Sequence, residues 1–141
     1  MTPEPDALEL VPLARMTISL REAIVLAGVP AGTRLIAEVA DARVEGERLS
    51  GSVKGSANAD WLTIGADGTA ALDVRALLET DDGALVFIQY PGRLHLAAQT
   101  AYATPLFETG DDRYRWLNGL QAVGKGKTDG TTLVYDLFEL R

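Results

Sequence analysis

Short runs rich in Val, Ile, Leu and Thr follow one another along the chain, each ended by Gly, Pro, Asp or Asn, which is the pattern of an all-β protein. These runs predict strands at Leu8–Leu20, Arg34–Val44, Glu47–Gly55, Trp61–Ile64, Thr69–Thr80, Ala84–Tyr90, Leu94–Tyr102, Leu120–Lys125 and Thr131–Leu140. The reversals have the residues that tight hairpins need. Asp67-Gly68, Asp82-Gly83 and Asp129-Gly130 suit positive φ, and Glu45-Gly46-Glu47 offers a fourth turn. Consecutive antiparallel pairing follows.

Leu85-Val86-Phe87-Ile88 and Leu133-Val134-Tyr135 are apolar on both alternating faces, so both faces need cover. No long helix is available to provide it. The economical solution is a single antiparallel barrel of about nine strands over residues 1–141, with 1–7 flexible and part of the outer face packed on a second copy in a homodimer or larger assembly. A two-sheet sandwich built from the same strands is the alternative. Two segments break the strand pattern. Ser19-Leu20-Arg21-Glu22 has capping-box spacing ahead of Ala23–Ala27, while Ile24-Val25 favours a strand, and the pattern leaves both readings of 19–27 open. Gly110-Asp111-Asp112 ahead of Tyr114, Trp116 and Leu117 predicts a short helix over 111–118, lying across a barrel end.

Composition narrows the chemistry. The 141 residues are 47% apolar, carry no cysteine and only one histidine, and have a net charge of −7. Disulfides and thiolate chemistry are excluded, and no metal site is expected. The acidic balance, with no cluster of cations, argues against a nucleic-acid partner. The first residues, Met1-Thr2-Pro3-Glu4-Pro5-Asp6, lack the basic and apolar parts of a secretory signal, and no apolar run is long enough to span a bilayer as a helix. A cytoplasmic protein away from membranes is the expectation. Gly124-Lys125-Gly126-Lys127 lacks the Ser or Thr and the helix of a phosphate-binding loop and reads as a hairpin rim. No Gly-x-Ser-x-Gly elbow accompanies His95, and Asp81-Asp82 and Asp111-Asp112 read as solvated turns.

Four groups of residues could carry function. Asp60-Trp61 is either a turn aspartate beside a core tryptophan, or a general acid or base at a barrel mouth with Trp61 as its apolar wall. Arg75 shares a strand face with Asp73 and Glu79, and is a surface ion-pair residue if that face points out or an anchor for a substrate oxygen if it points in. Tyr102 belongs to the strand of His95 and is a candidate ligand contact. Glu108, Tyr114, Trp116 and Asn118 form either a packed end of the barrel or a plug over a ligand cavity.

The run Gly46, Gly51, Gly55 and Ser56-Ala57-Asn58-Ala59-Asp60-Trp61 resembles a segment of the bacterial and fungal domain-of-unknown-function family 3237, also called uncharacterised protein family 0311. Asp67-Gly68-Thr69, Leu72-Asp73-Val74-Arg75, Asp81-Asp82-Gly83-Ala84, Thr104-Pro105-Leu106-Phe107-Glu108-Thr109-Gly110 and Tyr114-Arg115-Trp116-Leu117-Asn118 continue the resemblance over nearly the whole chain. It implies a small antiparallel barrel of calycin type, brings no general activity, and tilts Asp60 toward function. The chain departs from the family pattern twice. Asn58-Ala59 stands where a glycine pair is expected, so Asn must meet a turn that Gly makes easily. Thr100-Ala101-Tyr102-Ala103 stands where many members have an arginine before Thr104-Pro105.

The leading expectation is a cofactor-independent isomerase, cyclase or lyase acting by acid-base chemistry on a small, apolar, carbonyl-bearing metabolite inside the barrel. Asp60 would move the proton while Arg75 and Asn118 hold the oxygen, with Trp61, Tyr102, Glu108, Tyr114 and Trp116 around the ligand. A non-catalytic carrier of an apolar ligand is the rival, and several ionisable groups converging in the cavity would favour the enzyme.

Overall fold

The computed structural model describes residues 2–141. β1 (Leu10–Leu20) and β2 (Ile24–Val29) run in succession along one edge of β3 (Gly32–Glu45), and the other edge of β3 meets β4 (Gly51–Val53), β5 (Ala59–Asp60) and β6 (Thr63–Ile64). These three short pieces act as one interrupted strand, because each also pairs with β7 (Ala70–Thr80). Then follow β8 (Leu85–His95), β9 (Thr100–Ala103), β10 (Leu106–Glu108), a 3-10 helix (Asp112–Leu117), β11 (Ala122–Thr128) and β12 (Thr132–Leu140). β7 pairs with β8, β8 with β9, β9 with β11, β11 with β12 and β12 with β1, so the sheet closes into an antiparallel barrel of eight staves.

The closed barrel agrees with the sequence pattern. The expected nine strands reduce to eight staves because the runs at Glu47–Gly55 and Trp61–Ile64 share one stave, while β2 and β10 pair at the margins. The Asp-Gly turns form as expected, with Gly68, Gly83 and Gly130 at φ of 83°, 91° and 99°. The break expected at Pro91-Gly92 is absent. β8 runs straight through and reverses only at Leu96–Gln99. Proline fits inside β8 because its carbonyl faces Thr104, at the junction where β9 gives way to β10, so the missing N–H removes no ladder bond to β7. Residues 24–29 are strand rather than helix. The β-branched pair Ile24-Val25 lies opposite Ile36 and Leu35, and Ile24, Val25 and Leu26 stay exposed. No helix among the described residues is long and apolar enough to cross a membrane.

Inward side chains fill most of the barrel, with Met16, Ile18, Val44, Val74, Leu78, Val86, Ile88, Tyr90, Tyr135 and Leu137 all buried. The 3-10 helix sits at the end where β7 turns into β8. Arg113 donates to the Asp82 carbonyl at 3.0 Å, and Leu117 is wholly buried. The opposite end carries the β1–β2 link, the β8–β9 turn and the β11–β12 turn. It is the open mouth. Gly124 and Gly126 explain how the largest fully buried side chain, Tyr135, fits inside. A Cβ on Gly126 would lie 2.8 Å from two ring carbons of Tyr135, and one on Gly124 would lie 3.3 Å from the ring. Two bare positions on β11 therefore receive the ring, which accounts for Gly124-Lys125-Gly126-Lys127.

We expect Gly126→Ala to cost about 1–3 kcal/mol through this overlap. Gly119→Ala, where an added Cβ meets nothing within 4 Å, serves as the control. Thermal melting of both variants measures the difference, and equal melting would mean the ring yields without cost.

Candidate functional site

The mouth holds a cavity of about 240 Å³ lined by side chains from every part of the barrel rim. Seven leucines (Leu20, Leu35, Leu62, Leu72, Leu94, Leu96 and Leu133) form most of its wall, and Asp60 is its single charged residue. Gln99 and Thr128 supply the other polar side chains. Gln99 has φ of 49°, the only non-glycine residue with positive φ among those described, so the rim turn holds backbone strain beside the cavity.

Asp60 reaches this place through local pairing. It stands opposite Ala37 on one side and Val74 on the other, and Val74 stands opposite Tyr90, so the four make one row across the inner wall. The carboxyl accepts the backbone N–H of Asp73 at 3.0 Å. That one donor offsets only part of the cost of burial. Desolvation pushes the Asp60 pKa up to about 6; the Asp73 N–H pulls the other way, and the Asp73 charge adds a smaller upward push.

Two buried phenols share the interior. Tyr90 and Tyr135 meet edge to face with centroids 5.9 Å apart. Burial raises the pKa of both, and the negative charge of Asp60 raises each further, so both stay protonated at neutral pH. The Tyr135 hydroxyl is near enough to the Tyr90 hydroxyl to feel it but completes no hydrogen bond, alone among buried side-chain polar atoms of the described residues. Neither tyrosine was singled out from the sequence. The signal was present in the i, i+2 glycines of β11, which leave room for a ring on the strand beside them.

The other residues picked out from the sequence lie elsewhere. Arg75 is exposed on the outer face of β7 and does not line the cavity, because Leu72, Val74 and Leu78 take the inner face. Trp61 is 47% exposed, so the apolar wall around Asp60 comes from Leu62 and Leu72 in its place. Tyr102 points outward, edge-on to His95 at 5.7 Å. Glu108 is exposed on β10 opposite Phe87. Tyr114 donates to Asp82, Trp116 lies under the Arg48 guanidinium at 4.9 Å, and Asn118 brackets Thr109 with bonds of 2.8 and 3.0 Å. These last three stabilise the far end of the barrel. Asn58 also differs from expectation: the positive φ falls on Gly55, and Asn58 is a buried bracket that accepts from Leu77 N–H at 2.7 Å and donates to the Gly55 carbonyl.

A closed barrel with one carboxyl set among leucines at its mouth places the chain in a class of small cavity-bearing β-barrels. The chain belongs to the family described as protein of unknown function (DUF3237), whose model matches residues 8–103 and 97–140. It is 30% identical over 107 residues to "Hydroalkoxylation enzyme phnH" of Penicillium herquei, which covers 70% of this chain and 68% of that one. A β-barrel-like protein from Acinetobacter baumannii AYE is 32% identical, with a TM-score of 0.89 over 99% of this chain and all of the other. The crystal structure of an enzyme from Penicillium herquei shares the fold at 23% identity, with a TM-score of 0.82 over the whole of both chains.

The raised pKa of Asp60 makes a stability prediction. Below about pH 4 the carboxyl is neutral both folded and unfolded, and the burial cost vanishes. Above about pH 6 it is ionised in both states, and the rise from 3.8 to about 6 costs the fold about 3 kcal/mol. Asp60→Asn keeps an oxygen for the Asp73 N–H and removes the charge. The variant should therefore gain about 2–3 kcal/mol over the parent between pH 4 and pH 8, read by denaturant melts at the two pH values. A gain that does not change with pH would show that the Asp60 carboxyl keeps its ordinary pKa.

Proposed function

We propose that the protein is a cofactor-independent enzyme of isomerase, cyclase or lyase type, using Asp60 to move a proton on a small apolar substrate held in the barrel mouth. The observation that carries this reading is Asp60 itself, the one charged group in an apolar cavity, with its pKa lifted toward neutrality. A carboxyl at about 6 is mostly a base at pH 7, yet returns a proton more readily than an ordinary carboxylate. In the cycle we infer, the Asp60 carboxylate takes a proton from a substrate O–H or C–H. The electron pair moves through the substrate, and protonated Asp60 gives the proton to another atom. All atoms are retained.

The relative named as a hydroalkoxylation enzyme supports this class. Hydroalkoxylation adds an alcohol O–H across a carbon–carbon double bond, forming C–O and C–H bonds at the expense of one O–H and one π bond. Such a step needs one group that takes up and delivers a proton. The cavity adds a limit on charge. Its lining includes no Lys, Arg or His among the described residues, so a substrate carboxylate or phosphate would meet only the like charge of Asp60. Neutral substrates fit. The seven leucines also suit a carrier of an apolar ligand, and that is the competing reading.

Ortho-prenylphenol, a neutral alkene that carries its own hydroxyl, separates the two. Incubated with the protein in deuterated water, it should give the ring-closed isomer with one deuterium on carbon. The rate should rise with pH through about 6, and Asp60→Asn should lower it by about 10²-fold or more. Binding without conversion would favour the carrier, and full conversion by Asp60→Asn would remove Asp60 from the chemistry.

A further inference from the structure

With Arg75 and Asn118 away from the cavity, the oxygen of the ligand needs a different holder, and the interior offers one. β5 and β12 are three staves apart in the ring of eight, by way of β3 and β1, and the row that runs from Asp60 through Val74 ends at Tyr90, whose ring meets that of Tyr135. Leu133 lines the cavity, and Tyr135 is one inward-facing step deeper on the same strand. The ring is fixed by the bare floor of Gly124 and Gly126 and by the edge of Tyr90. No hydrogen bond joins the two polar ends. The Tyr135 hydroxyl completes no hydrogen bond, with only the Tyr90 hydroxyl near it, and the carboxyl of Asp60 receives only the Asp73 N–H. An unpaired buried hydroxyl costs about 1–3 kcal/mol, a cost that phenylalanine at this position would avoid.

We propose that Asp60 and Tyr135 together form the seat for one hydroxyl oxygen of a neutral ligand, whose O–H donates to the Asp60 carboxylate and whose lone pair accepts the Tyr135 O–H. The ligand class is an uncharged alcohol, phenol or enol on an otherwise apolar body small enough for about 240 Å³. This rests on the reading of the mouth cavity as the substrate site. A hydroxyl is what the pair selects, because it is donor and acceptor at one atom. A ketone would leave Asp60 without a donor, and a carboxylate would place two negative charges together. The seat also suits the proton transfer above. The hydroxyl that loses its proton to Asp60 would keep the Tyr135 donor on its developing negative charge.

Three probes of one shape test the seat near pH 7.5 by calorimetry: naphthol, fluoronaphthalene and naphthoate. The parent protein should bind naphthol about tenfold or more tightly than fluoronaphthalene, with naphthoate weaker than both. Tyr135→Phe should bring naphthol to within about threefold of fluoronaphthalene while melting at or above the parent temperature, so that lost binding is not lost folding. Asp60→Asn keeps an acceptor oxygen and should keep much of the naphthol preference. If it does so while losing conversion of ortho-prenylphenol, the seat and the proton chemistry are separated. Equal binding of naphthol and fluoronaphthalene by the parent, or an undiminished preference in Tyr135→Phe, would overturn the seat without bearing on Asp60 as a base.

Discussion

Partial burial of a single carboxylate against an incomplete set of partners governs the chemistry available to this barrel. Asp60 has one backbone N–H and a wall of leucines where a surface carboxylate would have water. The fold could have placed an arginine there, and Arg75 is one residue past Val74, the strand partner of Asp60. The alternation of β7 turns it outward instead. An ion pair in the cavity would have held the Asp60 pKa low and made it a poor proton carrier. Without one, burial carries it toward 6, at a cost in stability that the rest of the core must offset.

Closure of the sheet is what makes this cost tolerable. β5 is paired with β3 on one side and β7 on the other, so the interior can hold a cavity and two phenols without a free edge beside Asp60. The two ends divide the work. Around the 3-10 helix, charged side chains pair repeatedly: Arg113 with Asp111 and Asp82, and Arg48 with Glu139. These exposed pairs add little stability individually. Leu117 closes the barrel beneath them. The mouth has no such closure. Its rim is made of turns, one of which holds Gln99 in a left-handed conformation.

Much of the fold could be read from spacing alone. The three Asp-Gly turns, the even-numbered apolar face of residues 72–78 and the short helix after Asp111 all follow from local rules. What local rules could not supply was which neighbour each strand meets. Pro91-Gly92 reads as a turn until β10 and β9 are seen to exchange places beside it. Tyr114, Trp116 and Asn118 look like a ligand plug in sequence because aromatic and polar residues stand together. In three dimensions the polar atoms of Tyr114 and Asn118 are used by Asp82 and Thr109, and the Trp116 ring lies against the Arg48 guanidinium. Asp60 could be found because Asp60-Trp61 closes the segment that carries the family resemblance, while the residues alone left a turn aspartate equally open. Tyr90 and Tyr135 were hidden in apolar runs, and their proximity to Asp60 depends on contacts across the barrel.

The state of the Asp60 carboxyl decides the matter. An NMR titration of the aspartate side-chain carboxyl carbons, with the Asp60 signal assigned by its loss in Asp60→Asn, reads its protonation without any substrate. The account predicts a midpoint near pH 6, well apart from the exposed aspartates. A midpoint at or below about 4 would show a solvated carboxylate, and the barrel mouth would then have no group suited to carry a proton at neutral pH.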